Sequence, residues 1–573
     1  MRALTRYLRR LTDAYGVRFV ATVIFEYGLN QGVGLKMVGV AKSYYLLDTL
    51  GLTSATLGQL NGFAHIPWQL KSIFGLLSDT VAIAGRHRGP YLFFAGAVGA
   101  ASCALLAANA PAWFNGPGDQ ISVVGIGIMA LLSLGVNFNV AMADVMIDAA
   151  VGEKCKAHPS LASDLQSLCW GSLGTLGIPA AVMSGYLLSL FGPRLLFGLA
   201  VLSATSIAVP ALFNWLGERR KESALRAIDR WRQMMQEKTK RLVALAALLV
   251  GVYSISLGVL QLTMGRIAPN FMATFTIVGN FALCTSLWWL LSHVDVTLGR
   301  AVMFPFLQGA LCPSSSILFE WSHDVAGGGD TRCYTSAQCV NASLDVSTIY
   351  GTGKLPCGWA LARGYPCISP MVFSWVSVAG SMALVAGTTL YNTHFQSWSY
   401  RRIIATTGVA LGLVNLLDLL WVSRLNLRLG VPDVAFLFGD EVLADIVERL
   451  NSMPFYIYAA KLCPPSVEGS MFALFMGLSN FGFAAGQYLG SGVLKMFGGV
   501  EAPEYEYLAS YVAVKSVMRF LPVALVPFLV PPGCPADTAA EMEARKPPTP
   551  IRPHHTSDIT PCMRAEKELD HGV

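Results

Sequence analysis

The stretch His65–Tyr91, HIPWQLKSIFGLLSDTVAIAGRHRGPY, decides how the chain must be read. Its first half is apolar enough for a buried helix, yet it holds Lys71 well inside and ends on Asp79. Arg86, His87 and Arg88 follow at once. Ionisable groups inside membrane spans are costly and normally face a cavity or a partner. At 100° per residue, Trp68, Lys71, Gly75, Ser78 and Asp79 fall on one stripe of a continuous helix. Lys71 lies about 12 Å from Asp79 along that helix, a long reach for snorkelling to its end. Two readings of Lys71 follow. It is either a cation facing a central cavity, available to an anionic substrate or an internal acid, or a structural lysine paired with a carboxylate of a neighbouring span.

The rest of the chain says which solvent surrounds this helix. Of 573 residues, 54% are hydrophobic and 13% charged, with mean hydropathy +0.51. Soluble proteins carry roughly 25% charged residues. Apolar runs of about 20 residues recur, each long enough to cross about 30 Å of hydrocarbon. The ten-residue alternation of a membrane β-barrel is missing. The chain therefore reads as an all-α polytopic membrane protein. Its net charge of +6 does not point to nucleic acid, because the basic residues collect in alternate loops, as membrane orientation requires. The basic N-terminus lacks the small-residue cleavage site of a signal peptide.

Six spans are expected near 18–46, 54–78, 91–111, 120–150, 162–190 and 193–216, forming a first six-helix bundle over 18–216 after an N-terminal segment, 1–17. A stretch over 217–241 follows with nine Lys/Arg against four acids. It suits an amphipathic helix on an anionic leaflet or a solvated linker. An inserted helix pair is expected over 242–298, near 242–264 and 271–291. A second six-helix bundle occupies 299–530, near 300–321, 370–391, 401–423, 434–460, 467–494 and 508–530. The Pro-rich, charged tail 531–573 reads as disordered. This gives fourteen spans, or twelve if the inserted pair does not cross.

With the N-terminus in the cytoplasm, Arg86, Arg88, Lys154, Lys156, the 217–241 stretch, Arg401, Arg402 and Lys461 all fall inside, which satisfies the positive-inside rule. Both termini are then cytoplasmic and loop 322–369 is exterior. That loop holds Cys333, Cys339, Cys357 and Cys367, candidates for disulfides in an oxidising compartment, and the glycosylation pattern Asn341–Ser343. Four cysteines allow three pairings, and sequence does not choose. The expected setting is a glycoprotein of the plasma membrane.

A weak repeat links the halves. The span ending near Asp79 leads into GRHRGPY, and its counterpart ending TTLYNTHF leads into QSWSYRR. Acid-bearing spans precede DLQSLCWGSLG in one half and EGSMFALFMGLSN in the other. Repeated halves are typical of secondary transporters.

The acids themselves are candidates for a proton or charge relay. In GVNFNVAMADVMIDAAVGEKC, Asn137, Asp144 and Asp148 share a narrow arc. Two close carboxylates resist ionising together, which suits a relay, but each is equally suited to a separate partner, Lys71 or a loop arginine. In VAFLFGDEVLADIVERLNSMP, Glu441, Asp445, Glu448 and Ser452 form another stripe, with Lys515 and Arg519 as possible counter-charges. No metal-ligand pattern, cofactor motif or nucleotide-binding domain is present, and GTGKL at 351–355 is too short for a phosphate loop. The chain is not expected to be an enzyme.

In this setting, Gly75, Asp79, Gly85, Arg86 and Arg88 resemble the loop-2/3 signature of the major facilitator superfamily, although Thr80 stands where a cation usually follows the aspartate. The pieces PWQLKSIFGLLSD (67–79), ADVMIDAAVGEKC (143–155), DLQSLCWGSLG (164–174), LPCGW (355–359) and LCPPSVEGSMFALFMGLSN (462–480) together resemble the folate–biopterin transporters, a branch of that superfamily. The chain departs from that family in having Ser72 and Ala82 where prolines are common. The resemblance implies two six-helix halves, a gating latch at Gly75, Asp79, Arg86 and Arg88, and uptake of pterins or folates. Trp68 and Trp170 then suit stacking of a flat ring, Gln166 and Asn480 its hydrogen-bonding edge, and Lys71 a carboxylate. The expected protein is a monomeric, proton-coupled symporter in the lipid bilayer that carries a small molecule by alternating access. The rival readings are a carrier of another organic solute and a transporter-like receptor.

Overall fold

A computed structural model describes residues 2–108, 122–157, 161–218, 227–265, 267–324, 332–342, 356–463, 468–498, 500 and 504–535. The expected disordered tail lies outside these residues, apart from 531–535. Among them the chain is almost entirely helical and no named strand occurs.

After a short amphipathic helix α1 (Arg2–Tyr15), a continuous helical run α2 covers 17–49. Two of its parts, Ile24–Leu35 and Tyr45–Thr49, are wound as π-helix, and the first carries Glu26, Asn30 and Gln31. The next span is broken into α3 (Ser54–Ala64), α4 (Ile66–Gln69) and α5 (Lys71–Thr80). Pro67 explains the break, since it has no N–H to donate and its ring crowds the preceding turn. The bend therefore comes before Lys71, not after it. Then follow α6 (Gly89–Ala108), α7 (Val123–Ala157), α8 (Ala162–Phe191) and α9 (Pro193–Leu212). These pack around two apolar cores, with α9 against α6 and α2 against α8.

The basic stretch is partly helical, α10 (Ala227–Gln236), and docks on α5 and on the next helix through Met234 and Met235. The inserted pair is α11 (Lys238–Met264) and α12 (Pro269–Ser292), both long and apolar enough to span. α11 lies along the seam between the halves, where Gly251 faces Leu70 and Ile73.

The second half opens with another broken span, α13 (Val296–Ala301), α14 (Met303–Ala310) and α15 (Ile317–Ser322). It continues with α16 (Pro370–Leu390), α17 (Tyr400–Val422), α18 (Asp433–Leu462), α19 (Glu468–Phe497), and the divided span α20 (Leu508–Met518) and α21 (Leu521–Leu529). Each of the fourteen expected spans coincides with helix. Nine helices, among the described residues, meet a strict length and hydropathy test for crossing a membrane. The divided span over Leu508–Leu529 is among them, and the charged α18 is not.

The halves meet along two seams, α19 against α3–α5 and α8 against α16. The loop after α15 is stapled by disulfides Cys333–Cys367 and Cys339–Cys357. At this end the halves are joined: Asp48 of α2 pairs with His323 at 2.7 Å, and Ser54 N–H donates to Glu320 at 3.0 Å.

Candidate functional site

The break in α3–α5 sets the centre of the molecule. It turns Trp68 and Lys71 toward α7. The Lys71 ammonium lies 2.5 Å from Asp144 and 4.7 Å from the centre of the Trp68 ring. Of the two sequence readings of Lys71, the pairing with a neighbouring carboxylate is the geometry observed. The Trp68 indole N–H donates to Asn137 at 2.9 Å, and Asn480 of α19 donates to the Trp68 carbonyl at 3.3 Å. Asn137 is thus brought to the site by α7, and Asn480 by the other half.

A polar network extends from this pair into α2. Gln31 donates to Asp144 at 2.8 Å and to Glu26 at 2.9 Å. Asn30 donates to Glu26 at 3.0 Å and accepts from Asn139 at 2.8 Å. Tyr27 donates to Asp148. Glu26 has no exposed surface, and sequence reading missed it. The signal was present: Asn30 and Gln31 follow one turn after it in an apolar run, where i, i+4 side chains meet.

A cavity of about 390 Å³ adjoins the pair, lined by Leu35, Val38, Gly39, Lys42, His65, Trp68, Ser133, Val136, Asn137, Asn480 and Phe483. Ligand pockets typically enclose about 300–1,000 Å³. The cavity lies between the halves, with α2, α4 and α7 on one side and α19 on the other. Of the candidate residues, Trp68 and Asn480 line it. Lys42, His65 and Asn137 complete it, and neither basic residue was singled out from sequence.

The remaining candidates lie elsewhere. Trp170 is 53% exposed, with Tyr27 at 6.5 Å and the Arg449 guanidinium 5.4 Å from its ring centre. The Gln166 side chain lies outside the described residues. Glu441 and Asp445 face Lys36 of α2 across the seam, and Glu448 is exposed beside Arg449. A methyl group at Gly380 of α16 would meet the Asp445 carboxylate, which would have to turn aside. Lys515 does not serve these acids. It pairs with Asp418 of α17 at 3.3 Å, and Arg519 lies beside Cys312.

The signature loop forms a compact cluster. Arg88 lies 3.6 Å from Asp79 and 2.6 Å from Glu153. Glu218 accepts from the backbone N–H groups of His87, Arg88 and Gly89 at 3.1, 2.9 and 2.8 Å. Every one of these partners belongs to the first half or its trailing edge. Gly75 packs loosely, with only Val145 near the place of a methyl group. Asn341 is exposed, while Ser343 of its sequon lies outside the described residues.

Comparison with known proteins gives a consistent result. The sequence model of the BT1 family matches residues 31–547. The "Probable folate-biopterin transporter 2" of Arabidopsis thaliana is 26% identical over 530 residues, covering 92% of this chain and 86% of the relative. The "Folate-biopterin transporter" of Synechocystis sp. is 26% identical over 510 residues, covering 88% and 80%. Among solved structures, the peptide transporter POT in complex with sulfate superposes with a TM-score of 0.53 at 15% identity, covering 91% of this chain and 98% of that one. A POT family transporter in complex with 5-aminolevulinic acid gives 0.51 at 15% identity, covering 90% and 97%. At these identities the structural likeness establishes the fold alone, one this chain shares with those transporters.

Proposed function

From the premise that the chain belongs to the BT1 family of membrane transporters, we propose that its substrates are pterins and folates. The coarser statement needs no proposal: this is an integral membrane transporter of a small molecule, and not an enzyme. The observation that carries the finer reading is the cavity between the halves. It offers an indole face at Trp68, amides at Asn137 and Asn480, and room for a bicyclic ring. Pterins need this combination, a flat ring with a donor/acceptor edge. Both named relatives support the same substrate class.

The transport cycle is alternating access, with the halves rocking about the cavity. Coupling is to protons. A proton arriving on Asp144 frees Lys71, and the network through Gln31 passes the change to Glu26. Asp148, Glu441, Asp445 and Glu448 complete the relay. In this assignment Lys71 serves coupling, and Trp170 and Gln166 act at a later position of the substrate. Asp79, Arg86 and Arg88, with Gly75, latch the end opposite the disulfide loop. That end is cytoplasmic, with both termini on the same side, and the disulfide loop with a glycosylated Asn341 faces outward from the plasma membrane. The carrier works as a monomer.

The test is uptake of labelled folate and biopterin by cells that lack their own route, at two pH values. Uptake of both is expected, faster at acidic external pH and abolished by a proton uncoupler. No uptake of either, with surface expression confirmed, overturns the substrate class. Uptake indifferent to pH and uncoupler overturns the coupling.

A further inference from the structure

The cavity wall carries Lys42 and His65, and no acid among its described lining residues. Other basic side chains of the spans are provided for. Lys71 has Asp144, Lys515 has Asp418, Lys36 faces Glu441 and Asp445, and Arg449 donates to Thr388 at 3.0 Å. Lys42 makes no hydrogen bond or ion pair among the described residues, and His65 lines the same cavity beside it. An ammonium inside a membrane protein, without a carboxylate, is an expense that marks a ligand path. Lys71 adds no net charge to the cavity, because Asp144 cancels it; Lys42 does.

We propose that Lys42 is the anion-recognition residue of this cavity, binding the carboxylate of an aromatic acid whose ring lies against Trp68. The proposal rests on the cavity being the substrate site and deepens it, because it assigns the selection between carboxylated and neutral pteridines. A lysine on a flexible stem suits a tail carboxylate of variable position, as a point charge with rotatable donors. His65 stands beside it, its Nδ1–H donating to the Asn61 carbonyl at 2.9 Å, which leaves Nε2 an acceptor and the carboxylate to Lys42. Folate carries carboxylates and biopterin does not, so Lys42 separates the two.

The experiment compares wild type, Lys42→Gln and Lys42→Arg for concentration-dependent uptake of folate and biopterin. Lys42→Gln is expected to raise the folate KM relative to the biopterin KM at least tenfold, and Lys42→Arg to restore most of the ratio. A parallel change in both substrates, or an unchanged ratio, overturns the proposal. A second measurement stands apart from the pteridine assignment. Purified wild-type protein is melted with p-aminobenzoylglutamate and with its dimethyl ester. Stabilisation by the acid alone, lost in Lys42→Gln, supports the anion site even if neither pteridine is transported. Equal stabilisation by acid and ester, or none by either, overturns it. The wild-type comparison decides the matter if Lys42→Gln fails to reach the membrane.

Discussion

Lys71 and Asp144 are nearly buried, with side-chain exposures of 11% and 8%. Removing one partner of such a pair leaves a charge without compensation and typically costs about 3–5 kcal/mol, whereas neutralising both costs far less. Lys71→Gln is therefore expected to lower thermal stability by about that much, and Lys71→Gln with Asp144→Asn to recover more than half of it. Equal melting temperatures for the single and double variants would show that the pair is not what holds Asp144. Transport should respond differently from the Lys42 variant: Lys71→Gln weakens folate and biopterin uptake alike, because it acts on coupling and not on the substrate's charge. Lys71 was conspicuous in the sequence as a cation in an apolar run. Its partner was one of several acids on other spans, and only helix packing chose among them. Glu26 and Lys42 were less visible, since single charges near one end of a long apolar run look like helix termini until the winding of α2 is known.

Breaks in the helices carry much of the design. Residues 311–316, between α14 and α15, leave backbone groups that a membrane interior must satisfy. The helix opposite does so: the Ser314 N–H donates to the Gly486 carbonyl at 2.9 Å. This is possible because Gly482, Gly486 and Gly490 recur every four residues on one face of α19, and small residues let backbones approach. A methyl group at Gly490 would overlap the Ser314 carbonyl, and one at Gly486 would lie 2.7 Å from the Cys312 carbonyl. Both obstacles are backbone and cannot turn aside. Gly490→Ala is expected to cost about 1–3 kcal/mol, as overpacking does. Gly492→Ala, with nothing within 4 Å, should be neutral in the same melting assay. Equal melting temperatures in the two variants would show that close approach at Gly490 does not decide the outcome. The spacing GFAAGQYLG stands in the sequence, but the sequence reading did not single it out. That its partner is an interrupted helix was not legible there.

Across the molecule, the two ends are held differently. Asp48–His323, Ser54–Glu320 and the Ser491 hydroxyl on the Ala55 carbonyl at 2.7 Å close the disulfide end, while at the other end Arg88 pairs with Asp79 and Glu153 of its own half. If the halves rock, the contacts between them must part in each cycle. Replacing Ala55 and Ser491 with cysteines and joining them with a short cleavable cross-linker is expected to stop uptake, and cleavage to restore it. Uptake that survives a complete cross-link would show that this end stays shut during transport. Hydropathy alone sufficed for a polytopic helical protein, because the hydrocarbon core demands apolar runs of a set length whatever they pack against. The pieces that resemble the folate–biopterin transporters, 67–79 and 462–480 among them, were enough to point to a transporter fold. The disulfide pairing, the partner of Lys71, the buried Glu26 and the cavity with Lys42 were decided only by tertiary structure. Each depends on which faces of distant helices meet, and a period of 3.6 residues fixes the face of one helix but not its neighbour.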